Sequence, residues 1–168
     1  MLRSIAKWTF TLLLIVSAAA SDISLSPAIK ANKVVVLKRE RKLILLKDDV
    51  VLKTYRVSLG ENPVGAKIRR GDHKTPEGNY LLDWHNANSQ YYRSIHISYP
   101  SPSDRERAHR LKVSPGGDVF LHGLPNDYEA TPNEDLGDWT DGCIAVTDAE
   151  MDEIWKAVPD GTPIEIKP

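Results

Sequence analysis

The stretch Leu121-His122-Gly123-Leu124-Pro125-Asn126-Asp127-Tyr128-Glu129-Ala130-Thr131-Pro132-Asn133-Glu134-Asp135-Leu136-Gly137-Asp138-Trp139-Thr140-Asp141-Gly142-Cys143-Ile144-Ala145-Val146 holds the single cysteine of the chain and a histidine that closes an apolar run. Val119-Phe120-Leu121 reads as a short buried strand delivering His122, and Ile144-Ala145-Val146 as another leaving Cys143. Two strands thereby bring imidazole and sulfur together across a long acidic loop. A free thiol with pKa ~8.5 is only slightly ionised at neutral pH, so an imidazole able to take its proton makes the pair a nucleophile and its base. Asp141-Gly142 is turn-forming, and a tight turn there aims the Gly142 and Cys143 N–H groups at one spot, an oxyanion hole. Asp141 is expected to bond the backbone of its own turn, as Asp readily does. The competing reading is a small buried cysteine beside Ile144 and Val146, with the histidine satisfied elsewhere in the core.

The order His122-Gly123, a long loop, then Thr140-Asp141-Gly142-Cys143-Ile144 resembles the signature of the L,D-transpeptidase (YkuD-type) family. Thr75-Pro76-Glu77-Gly78 is similar to that family's T-P-x-G segment, and the likeness runs from about Lys33 to Ile166. The resemblance implies that Cys143 is the acylated nucleophile, His122 its general base and acid, and the Gly123 carbonyl the partner that orients the ring. It also implies peptidoglycan stem peptides as substrate. Two positions depart from the pattern: Asp141 replaces the motif's second histidine, and Ala145 replaces a polar residue common after the cysteine.

Outward from the motif, Met1 to Lys7 carries two cations, Trp8 to Val16 is almost wholly apolar, and Ser17 to Ala20 supplies small residues. Residues 1–20 therefore read as a secretory signal peptide, its apolar run short for a comfortable membrane span of ~20 residues, with an uncleaved signal anchor as the alternative. Residues 21–32 form a short linker, and 33–168 a single catalytic domain bound for the periplasm or cell wall, expected as a monomer with no integral span once the signal is removed. In an oxidising compartment cysteines normally pair, so one unpaired cysteine is a liability unless buried or used. The same count argues against zinc–thiolate sites, and His73, His85, His96, His109 and His122 lack ligand spacing, so no metal and no cofactor is expected. Without Arg3 and Lys7, 20 cations face 23 acids, a net charge of −3. Nothing in that balance suggests a nucleic-acid partner.

From Lys33 the chain reads as an antiparallel meander: Val34 to Leu37, a turn near Glu40-Arg41, Leu43 to Leu46, a turn at Asp48-Asp49, then Val50 to Leu59. Tyr55, Val57 and Leu59 share a buried face. Gly60 to Gly78 is a loop whose cations, Lys67, Arg69, Arg70, His73 and Lys74, are either a solvated set or receivers of stem carboxylates. Strands resume at Tyr80 to Trp84 and Tyr92 to Tyr99, and His96 on the polar face of the second is within plausible reach of the site. Ser101-Pro102 starts a helix expected to reach Lys112, and Thr147-Asp148-Ala149-Glu150 is a capping box opening a helix with a Met151, Ile154, Trp155, Val158 stripe. Thr162 to Ile166 is a closing strand whose proline places it at an edge or strand start. The fold class is mostly β, a sandwich or curled mixed sheet of the L,D-transpeptidase type with two or three short helices.

The expected activity is an exported cysteine acyltransferase: a Cys143 thioester with a tetrapeptide stem, then transfer to an amine. The substrate-contacting set comprises Thr140, Asp141, Trp139, Arg69 and His96. Alternatives are a hydrolase of L,D-carboxypeptidase or amidase type using water, and a non-catalytic wall-binding module.

Overall fold

A computed structural model of the chain describes residues 29–129, 131 and 135–168. The expected signal peptide, most of the linker and Glu134 of the acidic loop lie outside the described residues. In chain order the elements are β1 (Lys33–Leu37), β2 (Lys42–Lys47), β3 (Val50–Arg56), β4 (Gly78–Asn86), β5 (Ser94–Ile97), α1 (Pro102–Arg110), β6 (Val119–His122), β7 (Ile144–Ala145), α2 (Asp148–Ala157) and β8 (Thr162–Lys167). The strands form one eight-stranded sheet in the order β3-β2-β1-β8-β4-β5-β6-β7. Two neighbour pairs, β1–β8 and β6–β7, are parallel, so the architecture is a curled mixed sheet, not a two-sheet sandwich. Among the described residues no helix is long and apolar enough to cross a membrane.

The meander forms for reasons visible in the residues. Asp48 and Asp49 both take positive φ, 49° and 63°, the backbone that a two-residue hairpin turn demands and that Asp tolerates. Alternation then puts Val34, Val36, Leu43, Leu45 and Tyr55 in the core. Past β3 the chain continues Val57-Ser58-Leu59-Gly60 and meets the opposite end of the sheet. Ser58 and Ala145 exchange both backbone hydrogen bonds at 2.9 Å, and the Thr140 N–H donates to Leu59 O at 3.1 Å. The two edges of the sheet are thus tied together beside the future site.

The closing strand takes the second of its two expected placements, with Pro163 at the strand start. β8 is not at an edge but lies between β1 and β4. Its proline is tolerated because β1 pairs with β8 only from Ile164 onward, one residue past Pro163. Both helices begin at capping boxes, Ser101 with Asp104 and Thr147 with Glu150, so four otherwise orphaned N–H groups are satisfied. The first ends at Arg110, two residues before the expected Lys112. Met151, Ile154 and Val158 of the second are buried against the sheet, with Trp155 partly so.

The loop from Gly60 to Gly78 is a built structure, with two charged side chains at its centre. Asp72 accepts hydrogen bonds from the backbone N–H groups of Ile68 at 2.7 Å, Arg69 at 3.0 Å and Lys74 at 3.2 Å, and from Lys67 Nζ at 2.8 Å. Lys38, 2% exposed, reaches up from the end of β1 to Gly65 O, Thr75 O and Glu77 Oε1 at 2.8–2.9 Å. The Thr75 hydroxyl in turn accepts the Gly60 N–H at 3.0 Å. Burial alone would raise the Asp72 carboxyl, but the Arg69 N–H, the Lys67 ammonium and the Ile68 and Lys74 N–H groups outweigh it and pull it from 3.8 down to about 2.

Asp72→Ala removes the counter-charge of the buried Lys67 ammonium and is expected to cost about 3 kcal/mol in urea unfolding. Because the folded carboxyl titrates below the unfolded one, the wild-type contribution is present above about pH 4 and is lost as pH falls towards about 2. The variant should lack that part of the acid slope, and equal slopes in the two proteins would contradict the account.

Candidate active site

β6 ends at His122, which is 3% exposed. Its Nδ1–H donates to the carbonyl of Gly123 at 2.7 Å, which leaves Nε2 as the bare, proton-accepting nitrogen. Tyr91 and Trp139 pack on the ring, with centroids 4.6 and 5.8 Å away. Burial pushes the imidazole pKa below its ordinary value, and the Gly123 carbonyl offsets only part of this. Gly123 has to be glycine: a Cβ there would lie 2.5 Å from Asp148 Oδ1, at the first turn of α2, and 2.9 Å from Tyr92 Cβ.

β7 pairs with β6 in the register Leu121↔Ile144 and His122↔Ala145, which places Cys143 beside Phe120. The sulfur accepts the Phe120 N–H at 3.4 Å, and the thiol faces the Asp118 carbonyl at 3.8 Å. These are backbone contacts; the sulfur is not hydrogen-bonded to the ring. Burial raises the thiol pKa, the charges of Asp141 and Asp118 raise it further, and the Phe120 N–H and Lys67 oppose them. The resting pair is accordingly a neutral thiol and a neutral imidazole.

The turn before the sulfur is held by Thr140. Its Oγ1 accepts the Gly142 N–H at 3.1 Å and donates to Cys143 O at 2.8 Å. The Gly142 N–H, expected to face an oxyanion, is therefore engaged within the turn. Asp141, expected to bond that turn, does not: its side chain is 89% exposed, and Oδ1 lies 2.7 Å from His73 Nδ1. Gly142 itself sits at φ +126°, and a Cβ on it would come within 2.6 Å of Lys74 O.

Two clefts of ≈ 300 Å³ each meet at Cys143. One is lined by Asn86, Tyr91, Ser94, Phe120 and His122 among others, the second by Lys67, Arg70, His73, Gly116 and Asp141 among others. Asp118 and Cys143 line both. A larger cavity of ≈ 550 Å³ runs along Trp139 and Leu124 and reaches neither reacting group.

Of the residues expected to touch substrate, Thr140 and Asp141 flank the nucleophile and Trp139 packs on His122. Arg69 is exposed and meets Asp72 through its backbone; the cations on the cleft wall are Lys67 and Arg70, with the His73 imidazole beside them. His96 bonds Asp83 Oδ1 at 2.7 Å and stacks on Trp84, and it lines neither cleft. In the acidic loop, Asp138 accepts hydrogen bonds from the Arg41 guanidinium and the Leu59 N–H. Tyr91 and Asp118 were not anticipated, since neither falls in a periodic pattern. Thr140 was legible in kind, because a Thr two residues before a turn glycine is the usual site of a hydroxyl-to-backbone bond.

The model of the L,D-transpeptidase catalytic domain (YkuD) matches residues 31–166. YafK of Escherichia coli (strain K12) is 29% identical over 129 residues, covering 73% of this chain and 45% of its own, so the chain spans less than half of that relative. In structure it is similar to the helical cell shape determining protein Pgp2 from Campylobacter jejuni, with TM-score 0.62, 21% identity, and coverage of 88% of this chain and 52% of that one. It is also similar to the L,D-transpeptidase of Xylanimonas cellulosilytica, with TM-score 0.53, 17% identity, and coverage of 83% and 62%. The match over residues 31–166 shows that the chain belongs to the L,D-transpeptidase catalytic domain family.

Proposed function

We propose that the protein is an exported cysteine acyltransferase that forms a thioester between Cys143 and a tetrapeptide stem of peptidoglycan and passes the acyl group to an amine. The observation that carries this reading is the position of Cys143 as the shared wall of two clefts, one of which also holds His122. A nucleophile open on two sides can keep an acyl group on one while an acceptor approaches from the other. Family membership supports the stem peptide as substrate. The expected signal peptide supports action in the periplasm or cell wall, and the cell-shape role in Pgp2's name fits an activity that remodels the wall.

In this mechanism the sulfur attacks the carbonyl preceding the terminal D-alanine while His122 Nε2 takes the thiol proton. The imidazolium then protonates the departing nitrogen, and D-alanine leaves as the C–N bond breaks. An incoming amine attacks the thioester, gives a proton to His122, and displaces the thiolate, which recovers it. Because the resting pair is neutral, proton transfer accompanies attack, so the Gly123 carbonyl matters as the group that keeps Nε2 bare. With the Gly142 N–H engaged by Thr140, the Cys143 N–H is the turn's remaining donor for the oxyanion. The chemistry needs no metal or organic cofactor.

Incubation with disaccharide-tetrapeptide and mass analysis tests the reading directly. Cross-linked dimers are expected; tripeptides would identify water as the acceptor, and unchanged substrate with folded protein would refute the enzyme. Cys143→Ala should form no acyl adduct by intact mass, and His122→Ala should slow adduct formation about 10²–10⁴-fold with an unchanged fold.

The alkylation rate of Cys143 by iodoacetamide should rise with pH through a midpoint above that of an ordinary cysteine. Asp141→Asn removes one of the charges that raise it and should move the midpoint down, whereas an unmoved midpoint would mean that the carboxylate is screened. Thr140→Val loses both turn hydrogen bonds and should cut the acylation rate at least about tenfold, with Thr140→Ser largely restoring it.

A further inference from the structure

The face of the sheet that carries the site continues past it. On β4 to β7 Leu82, Ile97, Leu121 and Ile144 point into the core. By alternation Asn86, Ser94, His96, Phe120 and His122 stand on the opposite face. The ladder sets Asn86, Ser94 and His122 in one row, and His96 and Phe120 in the next, with Cys143 beside Phe120. The first row and Phe120 line the cleft that holds Cys143. His96, and whatever β4 places opposite it, form the next step outward from that cleft.

β4 is irregular at that step. Leu82 pairs with Ile97 and His85 with Ile95, so Asp83 and Trp84 together oppose the single residue His96. Two residues against one make a β-bulge, a device that re-aims side chains. Here both are turned onto His96: Asp83 Oδ1 lies 2.7 Å from its Nδ1, and the Trp84 indole stacks on the imidazole with centroids 5.4 Å apart. Phe120 makes T-shaped contacts with both rings, at 5.6 Å from Trp84 and 5.1 Å from His96. The indole is thus fixed by two neighbours and connected through Phe120 to the cleft at Cys143.

Despite these contacts Trp84 is 45% exposed. Among the described residues its indole N–H has no hydrogen-bond partner, and neither has Asp83 Oδ2 or the amide nitrogen of Asn86. A flat apolar ring edged by a carboxylate and an amide matches the two-sided chemistry of a pyranose. The C–H face of the sugar lies on the ring, while its hydroxyls and acetamido group pair with the polar rim. An aliphatic partner would cover the ring and leave that rim unpaired.

We infer that Trp84, with Asp83 and Asn86 at its rim, forms a subsite for a hexose ring of the glycan strand. That this sugar carries the stem acylated on Cys143 rests on the function proposed above; that the platform binds sugar does not. Reach fits the two together. Neighbouring strands lie ~4.8 Å apart, so three steps from β7 to β4 put Trp84 ~14 Å from the nucleophile. Three residues of a tetrapeptide stem separate the attacked carbonyl from the sugar, ~10–11 Å when extended. The short acid arm that joins stem to ring spans the remainder. Sulfur and indole are therefore spaced to hold the two ends of one substrate, with His96 as the positioning residue behind the indole.

The test compares disaccharide-tetrapeptide with free tetrapeptide by isothermal titration, in a Cys143→Ala background that binds without turnover. The sugar-bearing ligand should bind at least about fivefold more tightly, the usual worth of one aromatic contact. Adding Trp84→Ala should abolish that advantage and leave the affinity for free tetrapeptide within about twofold, whereas Trp84→Tyr, which keeps a ring, should retain most of it. His96→Ala should shrink the advantage without weakening the tetrapeptide. Two ligands of equal affinity, or an advantage that survives Trp84→Ala, would overturn the subsite. Equal weakening of both ligands by Trp84→Ala would make Trp84 a peptide contact and overturn it as well. Independently of any stem, the bare disaccharide should shift the Trp84 indole N–H signal in NMR spectra of the wild-type protein, and a signal unmoved at millimolar sugar would count against the platform. In the acylation reaction, Trp84→Ala should raise KM for disaccharide-tetrapeptide and leave kcat unchanged, the mark of lost uniform binding. Absence of any thioester on the wild-type protein, with disaccharide binding intact, would refute the proposed transferase and leave the subsite standing.

Discussion

The site depends on the closure of the sheet upon itself. Ser58 and Ala145 exchange two backbone hydrogen bonds across what would otherwise be open edges, and this contact fixes where β7, and therefore Cys143, can lie. Backbone approach at the junction is so close that side chains are excluded. A Cβ on Gly60 would stand 2.2 Å from His73 O and 3.0 Å from Gly142 Cα, and one on Gly142 would meet Lys74 O. Three remote segments, around residues 60, 73 and 142, are stacked backbone on backbone beneath the nucleophile. The loop cage around Asp72 and the Lys38 anchor serve the same end, because a wandering 60–78 loop would leave that stack without its middle layer.

Much of this was legible in the residues and some was not, for identifiable reasons. Strand and helix positions followed from alternation, turn residues and capping boxes, which are local signals. That His122 and Cys143 end up on one cleft was readable because one closes and the other opens an apolar run. The parallel β1–β8 pairing and the interior place of Pro163 are non-local, and a proline is admitted there only because the ladder on one side starts a residue later. Lys38 looked like an ordinary polar residue at a strand end; nothing local says that Gly65, Thr75 and Glu77 will converge on its ammonium. Arg69 and Arg70 are adjacent and identical in type, so sequence cannot say which of them the loop turns towards the cleft.

Asp141 shows how a motif position can be misread when taken alone. Viewed along the chain, it is a turn residue with a backbone to bond. In space the Thr140 hydroxyl already spans the turn, and the carboxylate turns outward to His73, which the loop brings in from 68 positions away at φ 53°. An imidazole from residue 73 thereby comes to the rim beside Cys143. The thiol still feels the carboxylate, as the direction of its pKa records.

That direction bears on why a lone cysteine is tolerable here. A thiol is oxidised in proportion to its thiolate fraction, so a low pKa would leave Cys143 open to oxidation at rest. Burial, Asp118 and Asp141 all push the other way, while the depressed imidazole of His122 prevents a standing thiolate–imidazolium pair. In the proposed mechanism the thiolate is therefore generated only at the moment of attack. Burial also orients the imidazole, since Nε2 is left bare by the Gly123 carbonyl and the ring packs against Tyr91 and Trp139. The same low-dielectric surroundings that keep the resting thiol neutral also keep the imidazole oriented, and in the proposed reaction the thiol ionises only where a carbonyl accepts the developing charge.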